Sequence, residues 1–174
     1  MPVYEREVVV DAPFDEVWEF HSGASGLEAL TPDWMNLRIE SSVGPDGEPD
    51  PDVLEAGSRV ESTVAPFGVA PRQRWVSAIV ARAEGDGEAF FRDEMRQGPF
   101  PEWVHTHSFE AVDGGPESET SGTSSERRSD GGTRVHDHVE YELPVVRGLF
   151  GPLGWVGFEP MFRYRHRKTK ELLE

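Results

Sequence analysis

Residues 102–112 read EWVHTHSFEAV, and residues 133–144 read TRVHDHVEYELP. Both alternate with a period of two, the periodicity of a β-strand, whose side chains point to opposite faces in turn. In the first stretch Trp103, His105, His107 and Phe109 share one face, against Val104, Thr106, Ser108 and Glu110. In the second, Val135, Asp137, Val139, Tyr141 and Leu143 oppose Arg134, His136, His138, Glu140 and Glu142. The bulky aromatic and apolar faces belong against a core and the charged face in water. Strands with one dry and one wet face are the mark of an antiparallel sheet packed on one side only.

The rest of the chain supplies the cover for that dry face. VYEREVVV (3–10) alternates as a strand. DAPFDEVWEFHS (11–22) turns into a helix, with Asp11 as a cap or turn residue and Pro13 suited to a first helical position. Phe14, Val17, Trp18 and His21 mark one face of it. GASGLEALTPDW (23–34) reads as a second short helix stopped near Pro32. Strand patterns follow at 37–44, 58–68, 71–86 and 88–98, with an acidic Pro/Gly loop at 44–57. Residues 114–132, GGPESETSGTSSERRSDGG, hold no apolar side chain and are expected to form a flexible hairpin loop. The second half of VVRGLFGPLGWVGFEPMFRYRHRKTKELLE (145–174) is helical, with Phe158, Met161, Phe162, Arg165 and Leu172 near one face. The order is β-α-α, six antiparallel strands, then one long helix. That predicts an α+β fold, a curved antiparallel sheet wrapped around the C-terminal helix, as a single domain over residues 1–174.

Composition narrows the function. The chain carries 33 Asp+Glu against 17 Lys+Arg, a net charge of −16. The only lysines are Lys168 and Lys170. An acidic, lysine-poor surface suits a salt-saturated cytoplasm, so the sequence reads as that of a halophile. Self-repulsion at this charge destabilises the compact state when screening is weak. The melting temperature is therefore expected to climb as KCl rises from tens of millimolar to molar, and a flat response would remove the halophile reading. The same field repels polyphosphate, which argues against nucleic acid as a partner. There is no cysteine, hence no disulfide, thiolate metal site or thiol nucleophile. MPVYEREVVV is not a signal peptide, and no run reaches the ~18 apolar residues of a membrane span. A cytoplasmic protein is expected, without stable membrane insertion.

Three stretches then resemble the START-like helix-grip superfamily (SRPBCC, polyketide cyclase/dehydrase-like). DAPFDEVWEFHS is similar to its strand-to-helix opening. FRDEMRQGPFPEWVHTHSFE (91–110) is similar to the F-x-D-x-(Q/M)-x-x-GPF-x-x-W-x-H-x-H-x-F strand pair of one ligand-binding subgroup. GGTRVHDHVEYELP (131–144), a Gly-rich stretch and a long helix are similar to its last strand and grip helix. The resemblance spans nearly the whole chain. It implies an apolar cavity between sheet and helix, with Phe91, Asp93, Met95 and Gln97 turned inward, and no single chemistry: members bind lipids, quinones, hormones or polyketides, and some are enzymes.

Strand parity answers what the two H-x-H pairs do. His105 and His107 point in, while His136 and His138 point out, so the four cannot share an ion without exposing Val135, Val139 and Tyr141. Asp93 beside His105 or His107 would offer two histidines and a carboxylate, a donor set that can hold a metal. The expectation is instead a polar cluster of Asp93, Asp137 and the histidines, structural or ligand-orienting, with no metal and no cofactor required. It interrupts an aromatic wall of Trp75, Phe91, Trp103, Phe109 and Tyr141, faced by Met95, Phe158 and Phe162. These twelve residues are the candidate ligand-binding set, and the partner is a small apolar molecule. The favoured reading is a non-enzymatic binding protein. The alternatives are a cyclase or dehydratase using the His/Asp cluster, with Tyr141 polarising a carbonyl, and a lipid- or quinone-delivery protein touching a membrane transiently. Motifs for a nucleophile elbow, a P-loop or a dinucleotide are missing from the sequence. The run Arg163, Arg165, Arg167, Lys168 and Lys170 reads as ion pairing at a helix C-terminus, and residues 145–157 as a lid.

Overall fold

The computed structural model describes residues 1–69, 71–112, 131–143 and 153–174, the last without the side chains of 153–157. Seven strands form one sheet: β1 (Val3–Val10), β2 (Arg38–Val43), β3 (Arg59–Val64), β4 (Gln73–Gly85), β5 (Glu88–Gln97), β6 (Glu102–Val112) and β7 (Gly132–Glu142). Three α-helices cover it: α1 (Phe14–His21), α2 (Ala24–Ala29) and α3 (Leu153–Leu173). The sheet order is β1-β7-β6-β5-β4-β3-β2, antiparallel at every pairing. The first strand thus pairs with the last, and the connection through α1 and α2 crosses the dry face from one edge strand to the other. This is the α+β helix-grip architecture that the alternation predicts.

Register decides where side chains go. β6 and β7 pair without interruption, Trp103 opposite Tyr141, His105 opposite Val139, His107 opposite Asp137 and Phe109 opposite Val135. Directly opposed residues share a face, and every one of these eight is buried. β4 is less regular, with register shifts between Val76 and Ser77 and between Ile79 and Ala81. An extra residue at a bulge reverses the facing of the strand beyond it. Trp75, Ser77 and Ile79 therefore face the cavity described below, whereas past the second shift Arg82 and Glu84 face α1. The Arg82 guanidinium stacks 4.2 Å from the Trp18 ring centre, and Trp18 Nε1 donates to Glu84 at 2.7 Å.

Two apolar layers pin the helices down. Val17 and Trp18 of α1 pack on Phe109, Val135 and Ala89. Phe158 and Phe162 of α3 pack on Tyr4, Trp103, Val139 and Tyr141. Burying one such ring contributes roughly 1.5–3 kcal/mol, so these layers hold α3 against the sheet. Arg6 and Tyr4 of β1 both reach Glu159 of α3, at 2.5 and 2.7 Å, and fix its rotation.

Several expectations are corrected. Pro13 is the cap of α1 rather than its first residue, and of its two readings Asp11 is the turn residue, in the bend before the helix, with its backbone N–H donating to Glu174. Leu172 is 47% exposed, and Leu173 packs inward in its place. Gln97 is exposed: the register shift opposite Val76 and Ser77 falls between Met95 and Gln97 on β5, so Gln97 pairs with Val76 and leaves the face that Met95 shares with Ser77. Of the loop expected at 114–132, only Gly131 and Gly132 are described, and Gly132 opens β7. The lid expected at 145–157 lies outside the described residues up to 152, and its last five residues are the first of α3.

Candidate functional site

A cavity of about 140 Å³ lies between the sheet, α1, α2 and α3. Its walls are apolar, built from Leu27 and Leu30 of the α2 region, Leu54, and Val60, Trp75 and Ile79 of the sheet. α2 comes close to α1 through Gly26, where a Cβ would lie 2.1 Å from the Phe20 carbonyl oxygen. A side chain at that position would push this wall outward.

One end of the cavity is polar. Asp93 on β5, His105 and His107 on β6, His21 on α1 and Arg165 on α3 all line it. Asp137 of β7 sits beneath them, 1% exposed. His105 Nε2 donates to Asp137 Oδ1 at 2.9 Å, and His166 Nε2 donates to Oδ2 at 2.5 Å. His107 Nδ1 is 2.8 Å from Oδ1 but off the line of its own N–H, so it approaches the carboxylate without a formed hydrogen bond. Three histidines from two elements thus converge on one carboxylate. His107 faces Asp137 across the β6–β7 ladder, and His105 reaches it diagonally.

The electrostatics follow from this packing. Burial alone would raise the Asp137 pKa, but His107 beside it and the His105, His107 and His166 ring nitrogens hold the carboxyl well below its usual range. Burial pushes His107 well below the ordinary histidine value, so its ring is neutral at pH 7. His21 is pushed down to about 4 for the same reason, and its Nδ1–H donates to the Val17 carbonyl at 2.8 Å. Asp93 is raised by burial, opposed by His105 and Arg165. Its Oδ1 lies 3.6 Å from His105 Nδ1. Asp93, His105 and Asp137 thus stand in a line at the cavity end.

Asp93, His105 and His107 also place one ligand atom each within 4.8 Å of one another. Two histidines and a carboxylate, with Asp137 as a second carboxylate behind the rings, is a donor set suited to a first-row transition metal. The Arg165 charge lining the same cavity works against a divalent ion there.

The twelve residues expected from the sequence divide in two. Trp75, Phe91, Asp93, Trp103, His105 and His107 line the cavity. Met95, Tyr141, Phe158 and Phe162 sit beside it in the layer between α3 and the sheet. Phe109 packs under Trp18, and Asp137 lies behind the histidines. His136 and His138 face outward, about one-third exposed, and both approach Glu5, His138 at 2.8 Å. A second concavity, of about 670 Å³, opens on that outer face between Glu7, Glu88, Glu110 and His136, away from the buried cluster. Sequence periodicity did not single out His166, the second donor to Asp137 beside His105. Its signal is the helical stripe Phe158, Phe162, His166, Thr169 and Leu173, in place of the face drawn through Leu172. Arg165, which the sequence placed both on the face of Phe158 and Phe162 and in the basic run, turns inward, whereas Arg167, Lys168 and Lys170 do pair with Glu171 or Glu174.

Comparison with known proteins agrees with the fold. No curated protein matches the chain as a relative. Among solved structures it is similar to XoxI from Bacillus cereus, at 12% identity and a TM-score of 0.58, over 99% of this chain and 96% of that one. It is similar to Ara h 8.0201 at 13% identity and a TM-score of 0.60, over 99% and 97%. It is also similar to ginseng major latex-like protein 151 from Panax ginseng, at 15% identity and a TM-score of 0.56, over 99% and 97%. At these identities the likeness is one of fold. Among the described residues, no helix is long and apolar enough to cross a membrane. The model of the family described as polyketide cyclase / dehydrase and lipid transport matches residues 10–165, from the last residue of β1 to the inward arginine of α3, and the chain belongs to that family.

Proposed function

We propose that this protein binds a small hydrophobic molecule of lipid, quinone or polyketide-like class in the cavity between sheet and C-terminal helix. One observation carries the reading: the cavity has apolar walls and a single polar end, where Asp93, His105, His107 and Arg165 converge. That is the general form of a small-molecule site, in which the walls supply affinity and a few polar groups set orientation. The volume of about 140 Å³ suits a single ring or a short chain.

The test uses benzyl alcohol, a neutral ring with a polar head. Binding is expected to change the emission of Trp75 and Trp103 and to raise the melting temperature by mass action. His105→Ala or His107→Ala should weaken it by roughly 1–3 kcal/mol, the cost of a buried polar head left without its partner. His136→Ala and His138→Ala should leave it unchanged, because those rings face water. Sensitivity at His136 or His138 instead would move the site to the outer face of the sheet.

An enzymatic reading draws support from one further feature, the line Asp93, His105, Asp137 opening onto the cavity. A buried acid–imidazole–carboxylate line serves general acid–base chemistry, as cyclisation or dehydration of a carbonyl compound requires. A β-dicarbonyl compound recovered unchanged after incubation favours binding alone, and a changed one favours the enzyme.

A further inference from the structure

Among the described residues, Arg165, half-buried, is an arginine that turns inward without an acid at hand. Two other arginines that turn toward the interior have acids at hand. The Arg82 side chain, 10% exposed, lies 3.6 Å from Glu55, and that of Arg6, 30% exposed, lies 2.5 Å from Glu159. Arg165 lines the cavity, yet among the described residues no carboxylate comes within 4.0 Å of its nitrogens. In a chain with 33 acidic residues, that is not for want of partners. The nearest candidates are otherwise engaged. Both oxygens of Asp137 accept from histidines, and that residue lies behind the rings. Asp93 lines the cavity, but burial biases its carboxyl toward the neutral form.

A guanidinium does not shed its proton to escape burial. Asp137 and Asp93 favour its charge only from beyond 4.0 Å, so neither pairs with its N–H donors, which are left open to an anion. The planar fork of Arg165 matches a carboxylate held by two parallel N–H···O bonds. The Phe162 ring, 6.0 Å from the guanidinium carbon, backs it on the side of the helix.

We infer that the ligand of this cavity is an apolar acid, whose carboxylate docks on Arg165 while its hydrocarbon body lies against Leu30, Leu54, Val60 and Ile79. The inference rests on the binding reading above and names the ligand class for it. Burial holds His107 well below the ordinary histidine value, so it adds no charge at this end, and burial biases Asp93 away from the ionised form that would repel an anion.

The experiment is a protein-observed NMR titration of the full chain at pH 7 with benzoate and with benzamide, two probes of nearly one shape that differ in charge. The wild-type protein is expected to bind benzoate about tenfold more tightly than benzamide, the increment of a hydrogen bond to a charged group over a neutral one. Arg165→Gln should abolish that preference, lowering benzoate affinity about tenfold more than benzamide affinity. Arg165→Lys, which keeps the charge and loses the fork, should keep part of the preference. Equal binding of the two probes by the wild type, or a preference that survives in Arg165→Gln, overturns the inference and leaves the cavity reading standing. Absence of binding by both probes overturns the cavity reading itself. The wild-type comparison decides even if Arg165→Gln fails to fold.

Discussion

Asp137→Ala is expected to destabilise the protein by about 3–5 kcal/mol, as two charge-assisted hydrogen bonds of roughly 1.5–3 kcal/mol each are lost. The carboxylate is 1% exposed and accepts from His105 Nε2 and His166 Nε2 at 2.9 and 2.5 Å. Removing it leaves two buried N–H donors without an acceptor and a void where His107 and His105 meet. It also unties α3 from β7, because the His166 contact is the polar link between them. Asp137→Asn should recover part of the loss, since the amide oxygen still accepts from one ring while its NH₂ confronts the other. Urea unfolding of the two variants and the wild type measures this. A loss below about 1 kcal/mol in Asp137→Ala would mean that the cluster is not a structural clamp. Total stabilities of single domains are about 5–15 kcal/mol, so the expected loss is a large share of the whole.

Acid should weaken the fold before the ordinary carboxylate range is reached. His21 has its folded pKa pushed from 6.5 down to about 4 by burial. Its ring is neutral in both states above 6.5, takes up a proton only in the unfolded chain between 6.5 and about 4, and so draws the equilibrium toward unfolding as pH falls through that window. A shift of that size is worth roughly 3 kcal/mol, at about 1.4 kcal/mol per unit. His107 acts in the same direction. Asp93 acts in the opposite one: its folded pKa is raised, so it favours the folded state at low pH and loses that contribution as pH rises through its shifted value. Asp137, with its pKa depressed, keeps its contribution until the pH falls below the usual carboxylate range. Relief of the −16 net charge on acidification works against the histidines too, so the measurement is a difference. His21→Leu should flatten the slope of unfolding free energy between pH 6.5 and 4.5 relative to the wild type. Parallel curves for the two proteins would show that His21 does not carry the acid sensitivity.

Much of this architecture was legible in single residues. The alternation of Trp103, His105, His107 and Phe109 against Val104, Thr106, Ser108 and Glu110 fixed both the strand and its buried face, because a strand has only two faces and those sets differ sharply in polarity. Val135, Val139 and Tyr141 did the same for β7, and with them came the inward turn of His105, His107 and Asp137 and the outward turn of His136 and His138. Phe14, Val17, Trp18 and His21 placed α1 by the helical period. Periodicity works here because the sheet is wet on one side, so each strand writes its orientation in its own composition.

Other features depended on tertiary structure. The second register shift in β4, between Ile79 and Ala81, brought Arg82 and Glu84 to face α1, and no local pattern announces a bulge whose cause is the curvature of the whole sheet. Gln97 was turned inward by the family resemblance, which does not carry the register shift after Met95, and Leu172 by continuing a helical period past what it packs against. The stripe of α3 was misdrawn near its end, since three candidate rows on a helix differ by 100° steps and only contact with the sheet chooses among them. That choice brought His166 onto Asp137 and settled the two readings of Arg165, inward face and basic run, in favour of the cavity. The sequence by itself determined the order of elements, the dry face of the sheet and the residues at its centre. Tertiary structure alone decided which histidines share a carboxylate and which arginine is left facing the cavity, because those facts depend on distances between β7 and α3, and no periodicity within either element encodes them.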